Sequence, residues 1–181
     1  MILGITGTIG AGKGTVVEYL VQQKGFAHYS VRDFLVEEIQ KKSLPVDRDS
    51  MREVANALRS GHGPSYIIES LYHRAEDSGK DVLIESVRAI GEAEFLKAKG
   101  AMILAVDADR RLRFERVTLR ASATDDVDFA TFVMHEEKEL ASTDPSGQNI
   151  IGVMQMADAR IENDGSLEEL HAKVEEVLQT L

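Results

Sequence analysis

Short apolar runs alternate with amphipathic stretches along the whole 181-residue chain. The runs Ile2–Thr6, Phe26–Ser30, Val82–Glu85, Ala101–Val106 and Ala159–Glu162 predict strands. Several are apolar almost without interruption, as strands buried on both faces are. Helical spacing of apolar positions predicts helices over Thr15–Lys24, Val31–Lys42, Arg48–Ser60, Pro64–Ser78, Gly91–Lys99, Ala108–Leu119, Asp126–Ser142, Pro145–Met156 and Leu167–Thr180. Ser166 stands where an N-cap belongs, with Glu168 and Glu169 in the following first turn. Pro64 and Pro145 suit first helical turns. Strands alternating with helices build a parallel sheet joined by right-handed crossovers. The expected fold is therefore α/β: a five-stranded parallel sheet with helices on both faces, in one domain spanning 1–181. No repeat, low-complexity tract or linker interrupts it, and Arg120–Asp128 reads as a polar loop.

The first strand runs into Gly7-Thr8-Ile9-Gly10-Ala11-Gly12-Lys13-Gly14-Thr15. A buried strand, a glycine-rich loop, a Lys and then a helix form the anatomy of a phosphate-binding P-loop. Glycines let the backbone approach a phosphate closely. Successive N–H groups then bind the anion, and the helix N-terminus adds partial positive charge. Lys13 supplies a full charge for the β/γ-phosphates. Gly7, Thr8, Gly10, Ala11, Gly12, Lys13, Gly14 and Thr15 are the candidate nucleotide-binding residues. Gly14 stands where Ser or Thr is usual, and Thr15, a candidate magnesium ligand, comes one place later. The plain alternative is a glycine-rich turn joining strand to helix.

Composition narrows the partners. A net charge of −10 argues against nucleic acid and anionic membranes, so a phosphorylated ligand needs a local basic patch. Without Cys there is no disulfide, thiol nucleophile or thiolate metal site. No run approaches the length of a membrane span, and Met1 leads straight into the first strand. A cytoplasmic enzyme, monomeric or homodimeric, is expected. The six Met residues are dispersed and read as core filler.

In a parallel α/β sheet, ligands collect at the carboxyl ends of the strands. That edge carries the glycine-rich loop, Ser30–Asp33, Glu85–Arg88 and Asp107. Glu85 ends an apolar strand, where a carboxylate holds magnesium through water or orients the attacking oxygen. Arg88 is placed to grip a second phosphate bidentately. The alternatives are a solvated strand end for Glu85 and an ion pair with Glu92 or Glu94 for Arg88. Arg59 precedes the turn Ser60-Gly61-His62-Gly63, which faces an acceptor or merely connects helices. Glu136-Glu137-Lys138-Glu139 reads as a solvent face, and Asn163-Asp164-Gly165 as a turn.

These residues resemble the P-loop nucleoside monophosphate kinases. The Lys-Gly-Thr ending of Gly7–Thr15 is similar to the adenylate-kinase form of the loop. His28-Tyr29-Ser30-Val31-Arg32-Asp33-Phe34-Leu35 resembles the acceptor-site segment of those kinases. Val82–Arg88 with Glu92-Ala93-Glu94-Phe95-Leu96 is similar to their Asp-Gly-Phe-Pro-Arg segment and the helix behind it. Arg113–Arg116 through Arg120, then Asp125-Asp126, resembles the entrance to their lid. Ala157–Glu169 is similar to the C-terminal segment of dephospho-CoA kinases and of an archaeal group of nucleotide-kinase-like proteins.

The resemblance implies a P-loop NTPase fold with acceptor-binding helices at about 31–79 and a small helical lid at about 116–142. It implies ATP- and magnesium-dependent phosphoryl transfer to a nucleoside monophosphate. Lys13 would hold the donor phosphates and Arg88 the acceptor phosphate, while Arg116 and Arg120 would close from the lid. Arg32, Asp33, Arg59 and Glu85 would complete the acceptor side, with Thr15, Asp33 and Glu85 around magnesium. Asn163 would meet the donor base through its backbone.

The pattern also departs from the family. Val36 stands at the family's acceptor-site Arg, and Arg32 at a Gly. Ser86-Val87 replace Gly-Phe-Pro, and the second lid arm offers His135 and Lys138 rather than Arg. Two alternatives stay open: a dephospho-CoA kinase, and a nucleotide-binding regulator or slow NTPase working through a protein partner.

Overall fold

The computed structural model of the protein describes residues 1–119, 128–140 and 147–180. Its elements run β1 (Ile2–Gly7), α1 (Lys13–Lys24), β2 (Ala27–Ser30), α2 (Val31–Lys41), α3 (Arg48–His62), α4 (Tyr66–Ala75), β3 (Val82–Glu85), α5 (Ile90–Ala98), β4 (Met102–Asp107), α6 (Arg110–Leu119), α7 (Phe129–Leu140), α8 (Ile150–Gln155), β5 (Ala159–Glu162) and α9 (Leu167–Thr180). The strands form one sheet in the order β2-β3-β1-β4-β5, and every neighbouring pair is parallel. Helices cover both faces, so this is the expected α/β P-loop architecture.

The near-continuous apolar runs follow from that double cover. On one face Leu3, Ile5, Leu83, Leu104 and Ile161 pack with Leu20 of α1 and Leu170 and Val174 of α9. On the other, Val82, Ile84 and Ile103 pack with residues from α2 to α5 and Val153 of α8. Alternate residues of a strand point to opposite faces, so both sets must be apolar. Burying each such side chain contributes about 1.5–3 kcal/mol. Gly4 lies in the middle of β1, where a Cβ would come 2.8 Å from Leu96 of α5. The missing side chain lets α5 settle onto the sheet.

Caps set the helix boundaries more sharply than periodicity does. Ser30 accepts from the Asp33 N–H at the start of α2, Asp47 from Ser50 in α3, and Asn149 from Gly152 in α8. Asp128 accepts from the Thr131 N–H, so α7 starts at Phe129 rather than at the expected Asp126. Asn149 likewise starts α8 later than the expected Pro145. Asp126, Ser142 and Pro145 themselves lie outside the described residues. The Ser166 cap is present: its Oγ accepts from the Glu169 N–H, and Glu169 accepts from the Ser166 N–H in return. Among the described residues no helix is long and apolar enough to cross a membrane.

Register places the chemistry. Glu85 lies opposite Ile5 on one side and Ser30 on the other, and Gly7 lies opposite Val106, next to Asp107. The ends of β1, β2, β3 and β4 therefore share one edge.

Candidate active site

β1 ends at Gly7 and α1 starts at Lys13, so the intervening loop sits on a helix N-terminus. Gly10 and Gly12 have φ of +79° and +95°. A Cβ on Gly12 would lie 2.3 Å from Asn163 Nδ2, and one on Gly10 would lie 2.5 Å from the Arg113 carbonyl oxygen. Conformation and packing together demand glycine at both positions. Thr8 Oγ1 donates to Asp107 Oδ1 at 2.5 Å, which ties the loop to the end of β4. Lys13 Nζ donates to the carbonyls of Gly7 at 2.9 Å and Thr8 at 2.7 Å, so its charge sits over the loop.

A cleft of about 510 Å³ runs from this loop to α2 and α3. Lys13, Arg32, Arg52, Arg59 and Arg88 line it, against the carboxylates Asp47 and Glu85. A chain of net charge −10 thus concentrates cations in one cavity. Leu35, Val46, Met51 and Ala55 add an apolar wall on the α2–α3 side.

Glu85 stands between the two ends of the cleft. His28 Nε2 lies 3.0 Å from its Oε2. That hydrogen bond, with the nearby charges of Lys13 and Arg88, holds the carboxyl below the usual carboxylate range despite its partial burial. Glu85 is therefore ionised at neutral pH. The next residue, Ser86, has φ of +74°, a conformation that side-chain-bearing residues rarely adopt. It follows the end of β3, where the N–H groups of Ser86 and Val87 both donate to the Ile5 carbonyl. Thr6 Oγ1 donates to the Val87 carbonyl at 2.7 Å and braces the same turn. This turn delivers Arg88 to the cleft, where its Nη1 donates to Gln148 Oε1 at 3.2 Å.

A family model described as an AAA domain (AAA_17) matches residues 6–132. The chain belongs to this AAA domain family. UPF0200 proteins of Hyperthermus butylicus and Thermococcus gammatolerans are each 29% identical to it, over 100% of this chain and 95% of theirs. Among solved structures, TT1252 from Thermus thermophilus superposes with a TM-score of 0.67 at 21% identity, over 100% of this chain and 97% of that one. Shikimate kinase from Bacteroides thetaiotaomicron superposes with a TM-score of 0.62 at 12% identity, over 99% and 98%. The fold is that of P-loop kinases, and the kinase-like resemblance seen in the sequence fits these findings. Together they support a nucleotide-binding, kinase-like protein.

Within this AAA domain protein the expected site residues divide. Gly7, Gly10, Gly12, Lys13, Gly14, Arg32, Arg59, Glu85 and Arg88 come together around one cleft. Thr8 and Ala11 are buried in the loop behind it. Asp33 is exposed, Thr15 is half-buried in the first turn of α1, and neither lines the cleft. Arg116 is half-buried away from the cleft, with its Nη1 buried and without a hydrogen-bond partner. Arg120 and the side chains of His135 and Lys138 lie outside the described residues. Asn163 spends its backbone N–H on the Asp107 carbonyl and its side-chain N–H on the Ala11 carbonyl. Its observed contacts are with the loop and with the end of β4.

Glu92 is fully buried and pairs with Arg59, whose Nε and Nη2 both donate to Glu92 Oε1 at 2.9 and 2.8 Å. Its other oxygen accepts the N–H groups of Arg88 and Ala89, anchoring the start of α5. Arg59 therefore forms the floor of the cleft, with its Nη1 left without a hydrogen-bond partner. Glu136, expected on a solvent face, is only 2% exposed and pairs with Arg113 and Arg110. Sequence reasoning missed Glu92, Arg113 and Glu136 as buried charges. The available signal was a charged residue at an apolar helical position, which becomes readable only once its partner is known.

Proposed function

We propose that the protein transfers the γ-phosphoryl group of ATP to the phosphate of a nucleoside monophosphate. What carries the reading is one cleft that joins Lys13 on the glycine loop to Arg32 at the start of α2 and Arg88 after β3. The acceptor's phosphate oxygen attacks the γ-phosphorus, the bond to the β-phosphate oxygen breaks, and ADP and a nucleoside diphosphate result. An anionic oxygen attacks without giving up a proton, so no general base is needed. Positioning and charge neutralisation then supply most of the rate.

Lys13 and the loop amides hold the donor phosphates, and Arg88 holds the acceptor phosphate. The apolar wall on α2 and α3 takes the acceptor's nucleoside. Magnesium, when bound, neutralises charge on the β- and γ-phosphates. The residues fit an ion held by the nucleotide that keeps most of its water. Glu85 is ionised within the cleft, and among the described residues no group of three His, Asp or Glu side chains forms a protein cage. The same chemistry ranks the alternatives. Dephospho-CoA offers a hydroxyl, whose proton needs a base, and a Glu85 stabilised as an anion is a weak one. We place the protein in the cytoplasm as a monomer or homodimer.

Arg88→Ala tests the assignment of the two ends. Losing a charge-assisted contact costs about 1.5–3 kcal/mol, so acceptor affinity should fall roughly 10- to 100-fold while ATP affinity is retained. Calorimetric titrations with AMP and with ATP measure both. Unchanged AMP affinity would contradict the acceptor-site assignment.

A further inference from the structure

The glycine loop is gripped from behind by side chains that do not line the cleft. Arg113 of α6 is 5% exposed. Its Nη1 donates to the Ile9 carbonyl at 3.2 Å and its Nε to the Ala108 carbonyl at 2.8 Å. Asn163, just past β5 and 6% exposed, donates its Nδ2 to the Ala11 carbonyl at 2.9 Å. The two gripped carbonyls alternate along the loop. In a planar trans peptide, C=O and N–H point in opposite directions. Tying the Ile9 oxygen to Arg113 therefore turns the Gly10 N–H away from Arg113. Tying the Ala11 oxygen to Asn163 turns the Gly12 N–H away from Asn163. Gly10 and Gly12 both line the cleft. Each is also packed so closely against its holder that a Cβ would collide with it.

A buried guanidinium needs a counter-charge. Glu136, 2% exposed on α7, supplies it by accepting from Arg113 Nη1, and its other oxygen lies 2.9 Å from Arg110 Nε. Asp107 Oδ1 is 3.6 Å from Arg113 Nε and accepts from Thr8 of the same loop.

We propose that Arg113 and Asn163 are positioning residues of the phosphate cradle. They set two of its peptide planes, and Glu136 keeps Arg113 in place. The inference rests on reading this loop as the nucleotide site. Magnesium-ATP and, separately, AMP are titrated into the full chain and its variants by calorimetry. Asn163→Asp keeps the shape but turns a donor into an acceptor facing the Ala11 oxygen. It should weaken ATP binding about tenfold or more and leave AMP binding within about twofold. Arg113→Lys keeps the charge but loses the fork that reaches both carbonyls, and should act in the same direction. Glu136→Gln should do so more weakly. In turnover, KM for ATP should rise while KM for the acceptor holds.

If Arg113→Lys does not fold by circular dichroism, Asn163→Asp decides. ATP affinity unchanged in folded Asn163→Asp overturns the proposal, as does an equal loss of ATP and AMP binding. A wild-type chain that binds no ATP overturns the nucleotide reading and this proposal with it, and the wild-type titration alone reveals that case.

Discussion

Glu85 is the residue on which the electrostatics of the cleft converge. The His28 hydrogen bond and the charges of Lys13 and Arg88 favour its ionised form in the folded state. A carboxyl whose pKa falls on folding contributes stability above its unfolded value, about 4.3, and loses it as pH drops through the folded value. The difference in melting temperature between wild type and His28→Ala should therefore shrink as pH falls from about 5 to about 3. A difference that grows on acidification would contradict this account of Glu85. Some residues were legible and others were not, for a physical reason. Lys13 and Arg88 are placed by local motifs and strand ends, which leave a mark in the sequence. The fate of Arg59 depends on Glu92, 33 residues away, and no local pattern announces that pair. Glu136 looked like one acid in an acidic run because its partner Arg113 lies 23 residues away on another helix.

At the scale of elements, α3 shows how a helix delivers a site. Met51, Ala55 and Arg59 recur every fourth residue and present one face to the cleft. Asp47 caps this helix by accepting from the Ser50 N–H at 2.8 Å, a bond that also holds its carboxyl below the ordinary range. Asp47→Ala removes that cap and should lower the melting temperature. No drop would mean the cap contributes nothing. Glu92 joins α3 to α5 and anchors the turn that carries Arg88. Glu92→Ala strands a buried guanidinium, with an expected loss of about 3–5 kcal/mol in denaturant unfolding. A loss near that of a typical surface substitution would contradict the pairing described here. The strands were legible because a parallel sheet covered on both faces forces apolar residues onto both sides of each strand. Helix starts were less legible. Asn149 and Asp128 cap through hydrogen bonds that apolar periodicity does not register. The turn at Ser86 is a third case. Ser86 takes a backbone conformation that usually favours glycine, so the sequence departs from the kinase pattern at a point where the backbone conformation remains special.

For the whole molecule, the arrangement is a polarised one. An acidic body of net charge −10 gathers Lys13, Arg32, Arg52, Arg59 and Arg88 around a single cleft at the carboxyl edge of its sheet. Such a cavity repels little that is anionic and is long enough to span a glycine loop and a separate acceptor wall. That geometry suits two phosphorylated ligands meeting end to end, which is the central claim. The most direct measurement incubates the protein with magnesium and ATP across a panel of nucleoside monophosphates plus dephospho-CoA, then separates the products by chromatography. A nucleoside diphosphate should form from at least one monophosphate, in step with ADP. ADP and free phosphate alone, unchanged by every acceptor, would contradict it and favour a regulatory NTPase.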